Sequence, residues 1–187
     1  MLKISGDGWA KINIGEKVVY EGSYLTDIPL DFLKALYDYF SPNLATDLNI
    51  RPSSCVRVDC EGGEAYFVFS NSEYSDKKVF MFCGGKEEFH IEPFNIDPYY
   101  LAVELISDIE NDFENWVKWF STLDKKLVRK NLIFWLNKLK KAVMKEKPYS
   151  EKFKEWNTLG TSENEKAMKV LKEAVKNLKA NDNLPTD

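Results

Sequence analysis

The chain contains one histidine, His90, and three cysteines, Cys55, Cys60 and Cys83, in 187 residues. A tetrahedral zinc site draws four ligands from closely spaced Cys and His, and these four scattered side chains do not supply that spacing. Three cysteines are also too few, and odd in number, for a disulfide framework. Each falls in a predicted strand, where a free thiol behaves as a small hydrophobe. Long apolar stretches are missing as well. No run exceeds five residues, as in Ala65–Phe69 and Val79–Cys83, whereas a bilayer-spanning helix needs roughly 20. The first residues, Met1 to Gly8, hold no apolar core of the secretory type, so no signal peptide is expected. A reducing cytoplasm is the expected compartment, with no membrane partner.

Nucleophile and phosphate motifs are absent too. No G-x-S-x-G elbow occurs, so His90 has no nucleophile presented to it by a recognisable motif. Its neighbours Glu88 and Glu92 place it on the wetter face of a strand. The pairs Gly62-Gly63 and Gly84-Gly85 match neither the P-loop nor the dinucleotide pattern, and each lies between strands rather than before a helix. They read as hairpin turns. No catalytic residue, metal ligand or cofactor is assigned, and a non-enzymatic protein is expected.

What is present is an uneven division of charge. Residues 1–122 carry 10 Lys/Arg against 21 Asp/Glu, a balance of −11, and residues 123–180 carry 16 against 7, a balance of +9. The expected organisation is an acidic α+β domain over 1–122, a basic helical segment over 123–180 packed on it, and a polar tail over 181–187. A hydrophobic content of 44% with 14% aromatics is ample for a core.

Periodicity predicts the elements. Trp9–Ile14 and Lys17–Gly22 form a hairpin across Gly15-Glu16. Asp27-Ile28-Pro29 opens a helix, with Asp as cap and Pro in the first turn. Its apolar face is Phe32, Leu33, Leu36, Tyr37 and Phe40. Four strands follow: Ser54–Cys60, Glu64–Ser70, Lys77–Cys83 and Glu87–Glu92. The middle two are apolar on both faces, as in strands covered on both sides, so either the C-terminal helices or a partner must lie on the second face. Asp97-Pro98 starts a long helix to about Phe120. Ser121-Thr122-Leu123-Asp124 is a second start signal and the boundary between the two halves; a helix over Lys125–Lys147 follows, and Pro148 stops it. A short helix is expected over Ser150–Asn157. Ser162-Glu163-Asn164-Glu165 reads as a capping box before the last helix. The fold class is α+β: a mostly antiparallel sheet of about six strands, with helices packed on it and a helical C-terminal third.

Three side-chain groups bear on function. Glu104, Asp108 and Asp112 recur every four residues on one helix face, with Glu114 beside them. They are the candidate docking site for a basic protein; the plainer alternative is a solvated helix face. Lys130, Lys138 and Lys141 lead a lysine-rich helix and form the candidate nucleic-acid surface. Arg occurs there once, at Arg129, and Lys-dominated charge suits loose electrostatics better than base reading. Trp116, Trp119, Trp135 and Trp156 are either core or interface anchors. A third alternative is an enzymatic pocket on the second sheet face around Arg57, Asp59 and Tyr66.

Two stretches, Tyr20-Glu21-Gly22-Ser23-Tyr24-Leu25-Thr26-Asp27-Ile28-Pro29-Leu30-Asp31-Phe32-Leu33 and the Leu105–Phe120 helix ending Asn115-Trp116-Val117-Lys118-Trp119-Phe120, resemble small cytoplasmic immunity proteins of bacterial toxin–immunity systems. The resemblance covers the first two-thirds of the chain. It implies an acidic, non-enzymatic α+β protein that blocks a toxin by covering its active or binding site. The basic C-terminal helices are not part of that pattern.

Overall fold

The middle strands determine the architecture, because Tyr66–Phe69 and Val79–Phe82 place apolar side chains on both faces of their sheet. The structure, a computed structural model, describes residues 1–6, 8–23, 25–41, 54–60, 62–70, 79–84, 89–119, 124–146 and 160–181. Strands β1 (Leu2–Gly6), β2 (Trp9–Ile14) and β3 (Lys17–Ser23) form a three-stranded antiparallel sheet in that order. Helix α1 (Ile28–Phe40) follows. Strands β4 (Ser54–Cys60), β5 (Gly63–Phe69), β6 (Val79–Gly84) and β7 (Phe89–Phe94) then form a four-stranded antiparallel meander. Helices α2 (Pro98–Asn111), α3 (Phe113–Lys118), α4 (Lys125–Val143) and α5 (Thr161–Asn181) complete the chain.

The α+β class with antiparallel strands and a helical C-terminal third is what the structure has, but the strands divide into two sheets rather than one. The added strand is β1, whose Leu2 and Ile4 pair with Ile12 and Ala10. Lys3 and Ser5 between them left too short an alternation to register as a strand. The positive φ required in the tight turns falls on Gly15 and Gly62; Gly85 lies outside the described residues.

One face of the larger sheet presents Val56, Val58, Ala65, Phe67, Phe69, Val79 and Met81 to the main core. Phe32 of α1 sits on it, 5.3 Å from the Phe67 ring and 6.2 Å from that of Phe69. Helices α2 and α4 pack against α1 and against each other. Leu101, Leu105 and Ile109 from α2 and Val128, Leu132, Leu136, Leu139 and Val143 from α4 join the same core. The opposite face presents Cys55, Val68, Phe80 and Phe82, and α5 covers it with Ala167, Val170, Leu171 and Ala174. Burying each large side chain of this kind stabilises by roughly 1.5–3 kcal/mol. The half-buried Met168 and Val175 of the same helix pack against this cluster as well.

Helix boundaries follow the caps. Asp27 accepts from the Leu30 N–H at 3.3 Å, Asp97 from that of Tyr99 at 2.9 Å and Asp124 from that of Lys126 at 2.9 Å. The long helix expected from Pro98 to Phe120 is broken at Asp112. There the N–H donates to the Asp108 carbonyl, while the carbonyl accepts from Asn115 and Trp116. One residue thus ends α2 and begins α3 through its backbone groups, while its side chain accepts from the Asn115 amide rather than from a backbone N–H. The capping box is shifted by two residues. Glu163 occupies its acidic position and accepts from the Gly160 N–H at 3.0 Å, so Gly160 rather than Ser162 precedes the helix. The helix expected over Ser150–Asn157 and residues 182–187 lie outside the described residues.

The two sheets meet where β3 ends. The Ser23 hydroxyl donates to the Asp59 carbonyl at 3.3 Å, and the Asp59 N–H donates to Thr26 Oγ1 at 2.9 Å. Beside them, a Cβ on Gly22 would lie 2.5 Å from Val58 Cγ1 and 2.6 Å from Ile28 Cδ1, both in the core. Gly22→Ala should therefore destabilise by about 1–3 kcal/mol through overpacking, read as a lower urea midpoint. Gly6→Ala, where a Cβ meets nothing within 4 Å, should leave the midpoint within about 0.5 kcal/mol of the parent.

Candidate functional site

The acidic residues of α2 and α3 are engaged within the chain. Asp108 accepts from the Met1 amine and, at 2.8 Å, from the Leu2 N–H. Glu104 lies 3.7 Å from the same amine. Asp112, which ends α2, accepts from the Asn115 side chain at 2.6 Å. Glu114 receives both terminal nitrogens of Arg129 at 2.7 Å each, and this bidentate hydrogen bonding holds its carboxyl below the usual range. Glu110 pairs with Lys140. The helical period brings Glu104 and Asp108 together on one face, as four-residue spacing requires. It does not bring Glu114 to them: ten residues beyond Glu104, that side chain falls off their face, and it meets Arg129 of α4 instead.

The second sheet face holds packed side chains where the enzymatic alternative needs a pocket. Arg57, Asp59 and Tyr66 do converge, with the Tyr66 ring packed against the cluster that α5 covers. Arg57 pairs with Asp59 at 3.0 Å and, across the strands, with Glu64 at 2.9 Å. Desolvation and the Glu64 charge push the Tyr66 phenol up from its ordinary value. Burial pushes the Cys55 thiol up to about 12, so it is not a nucleophile at neutral pH. His90 is exposed and lies 3.2 Å from Glu92, which also faces Lys17 at 3.7 Å. A shallow depression of about 370 Å³ on the smaller sheet is lined by Ser5, Gly6, Trp9, Lys11 and Glu21, and the last two are themselves paired at 3.4 Å. Among the described residues, no three of His, Cys, Asp and Glu gather as a metal site would need. No described helix is long and apolar enough to cross a membrane.

Trp116 and Trp119 are core residues, their rings 5.4 Å apart. Trp156 lies outside the described residues. Trp135 is half-buried where α4 meets α1, and Tyr37 of α1 meets its ring edge-on at 5.6 Å.

The outer face of α4 has a different character. Leu127, Ile133 and Phe134 are 56%, 45% and 50% exposed, and Met144 just beyond the helix is 84% exposed. Lys126, Lys130, Lys141 and Lys145 are exposed among them. Among the described residues none of these lysines has a carboxylate partner. Lys138 behaves otherwise. Its ammonium lies 4.6 Å from the Phe134 ring centre, 4.9 Å from Trp135 and 5.2 Å from Tyr37. The three residues Lys130, Lys138 and Lys141 are thus two free charges and one charge held over aromatic rings. The amphipathic spacing that located the buried stripe of α4 could have found this surface, because Leu127, Ile133 and Phe134 all fall off that stripe.

No protein-family model matches the chain, and no curated protein or solved structure matches it either.

At the rim of this surface, burial pushes the Asp38 carboxyl up to about 6, opposed by the ammoniums of Lys138 and Lys34. The unfolded chain releases that proton near the ordinary value of 3.8. The folded state therefore binds more protons between these limits. Its contribution to stability is fully present below about pH 4 and is lost as pH rises through about 6. Asp38→Asn should flatten this decline and raise stability at pH 7 by about 1–3 kcal/mol, at roughly 1.4 kcal/mol per pKa unit. Asp27, also pushed up to about 6 by burial, leaves a residual slope of the same sign. Urea midpoints of parent and variant across pH 4 to 8 test this.

Proposed function

We propose that the chain is a non-enzymatic protein-binding protein that docks a partner on the outer face of α4. The observation that carries the reading is the exposure of Leu127, Ile133, Phe134 and Met144 on one helix. Single exposed hydrophobics are ordinary, but four along the open side of one helix and its end, interleaved with exposed lysines, mark an interaction surface. Phe134 is also held in place, with Lys138 over its face and Trp135 at its edge at 5.4 Å. An anchor already fixed in one position loses less entropy on binding.

The resemblance of residues 20–33 and 105–120 to immunity proteins supplies the specific form of the proposal: the partner is a toxin, and the chain acts by covering its functional surface. The acidic side chains first assigned to docking supply less of the interface on this reading. Glu114 already meets Arg129, and Glu104 and Asp108 meet the Met1 amine, so a basic partner would have to compete with these pairs.

A photo-crosslinking residue at position 134, with a second one at the exposed position 172 of α5 as the comparison, tests the reading in native lysate. Position 134 should yield a discrete protein adduct that position 172 does not. Identical adduct patterns, or none at position 134, would reject the α4 face as a docking site. Where the adduct is a toxin domain, the purified chain should inhibit its activity stoichiometrically.

A further inference from the structure

The order of side chains around α4 bears on the chemistry of the partner. At 3.6 residues per turn, Lys130 and Lys141 lie in one row between two apolar edges. Leu127 and Phe134 form one edge, and Ile133 and Met144 form the other. The flanking cations are already engaged, two by carboxylates and one, with its charge intact, by aromatic rings. Arg129 is engaged by Glu114, Lys140 by Glu110, and Lys138 by the rings of Tyr37, Phe134 and Trp135. The charge available to a partner is therefore the central row, joined by Lys126 and Lys145 toward the two ends of the helix.

We propose that the outer face of α4 binds an acidic protein surface, one that offers carboxylates to Lys130 and Lys141 and apolar recesses to Phe134 and Ile133. This rests on the protein-binding reading above and adds the sign and layout of the partner. Charge complementarity is the argument: a positive row with no carboxylate of its own among the described residues raises the encounter rate of an acidic surface and repels a basic one. The apolar edges separate this occupant from nucleic acid. A phosphate backbone gives Phe134, Ile133, Leu127 and Met144 nothing to bury against, and Arg129, the only guanidinium of the helix, is taken by Glu114. They also separate it from a lipid surface. A helix lying in an interface keeps one continuous apolar face with lysines at its borders, whereas here the lysines run between two apolar edges.

The test uses the full chain and a labelled synthetic amphipathic peptide of Leu and Glu, followed by fluorescence polarisation. The comparison probes are the same peptide with Gln for Glu, a short DNA duplex, and vesicles of phosphatidylcholine with phosphatidylserine. The Leu/Glu peptide should bind, and the Gln version should bind at least about tenfold more weakly, a difference of roughly 1.4 kcal/mol. Phe134→Ala, and separately Lys130→Glu with Lys141→Glu, should each weaken the Leu/Glu peptide by about tenfold or more. Lys172→Glu on α5 should leave it unchanged, and all variants should keep the parent melting temperature. The proposal is overturned if the Leu/Glu peptide does not bind, or if the α4 variants bind it like the parent. Tighter binding of the duplex or the vesicles, or concentration-dependent self-association through this face, would overturn it as well. If both peptides bind equally and both lose affinity with Phe134→Ala, the acidic partner is rejected while protein binding at α4 stands. If neither peptide binds and position 134 gives no adduct, both readings fall together.

Discussion

Strands β5 and β6 cannot be stable with one covered face. Phe67, Phe69 and Met81 point one way and Val68, Phe80 and Phe82 the other, and all six are buried. A sheet of this kind needs a helix on each side, as parallel sheets do, although its strands here are antiparallel. Helix α1 follows the small sheet directly and takes the first face. Among the described residues, no helix between β4 and α4 packs on the second face, because α2 and α4 are occupied against α1. The chain therefore returns at its C-terminal end, and α5 closes that face. The small sheet is tied to this arrangement by the Ser23, Thr26 and Asp59 bonds and by the close approach of Gly22 to Val58.

This arrangement places α4 at the outside. It packs on α1 and α2, so one side of it is buried, and the other side meets no further layer among the described residues. In a helix placed this way, side chains on the open half are free of packing constraints and are normally polar. On α4 the lysines conform to this, and Leu127, Ile133 and Phe134 do not. Exposed apolar groups of this size do not contribute to folding stability. Their presence thus asks for an explanation that lies outside the fold.

Periodic and local features were legible in the sequence. The caps at Asp27, Asp97 and Asp124, the buried stripe of α4 and the double apolarity of β5 and β6 all act through neighbours a few residues apart, and pattern alone reveals them. Three other features depend on tertiary contacts. Strand β1 was not visible because its alternation is brief and its pairing with β2 sets it. The break at Asp112 was masked by an apolar stripe that continues through Phe113 and Val117, although Asn111-Asp112 is a cap signal. The spacing puts Glu104 and Asp108 on one helix face, but it puts Glu114 on the same helix, and the partners Met1 and Arg129 come from elsewhere in the chain. The exposed face of α4 was hidden for a related reason. Its lysines were counted as one basic cluster, and nothing in the spacing shows which of them meet an acid or a ring.

The division of charge along the chain takes on a narrower meaning once those pairs are removed. Part of the contrast between the acidic 1–122 segment and the basic 123–180 segment is spent where α4 meets α2 and α3, at Arg129 with Glu114 and Lys140 with Glu110. Exposed pairs of this kind add little stability; their main effect is to cancel charge along that seam. The lysines left on the outer face have no carboxylate partner among the described residues, and a net charge of −4 conceals the local positive field of this row. Such a field acts on partners at a distance of about one Debye length, roughly 8–10 Å at physiological salt. It can orient an approaching acidic surface before any side chain touches. The apolar edges act only at contact. In the proposed docking, long-range attraction and short-range anchoring thus fall to different residues of the same helix face, the first to Lys130 and Lys141 and the second to Phe134 and Ile133.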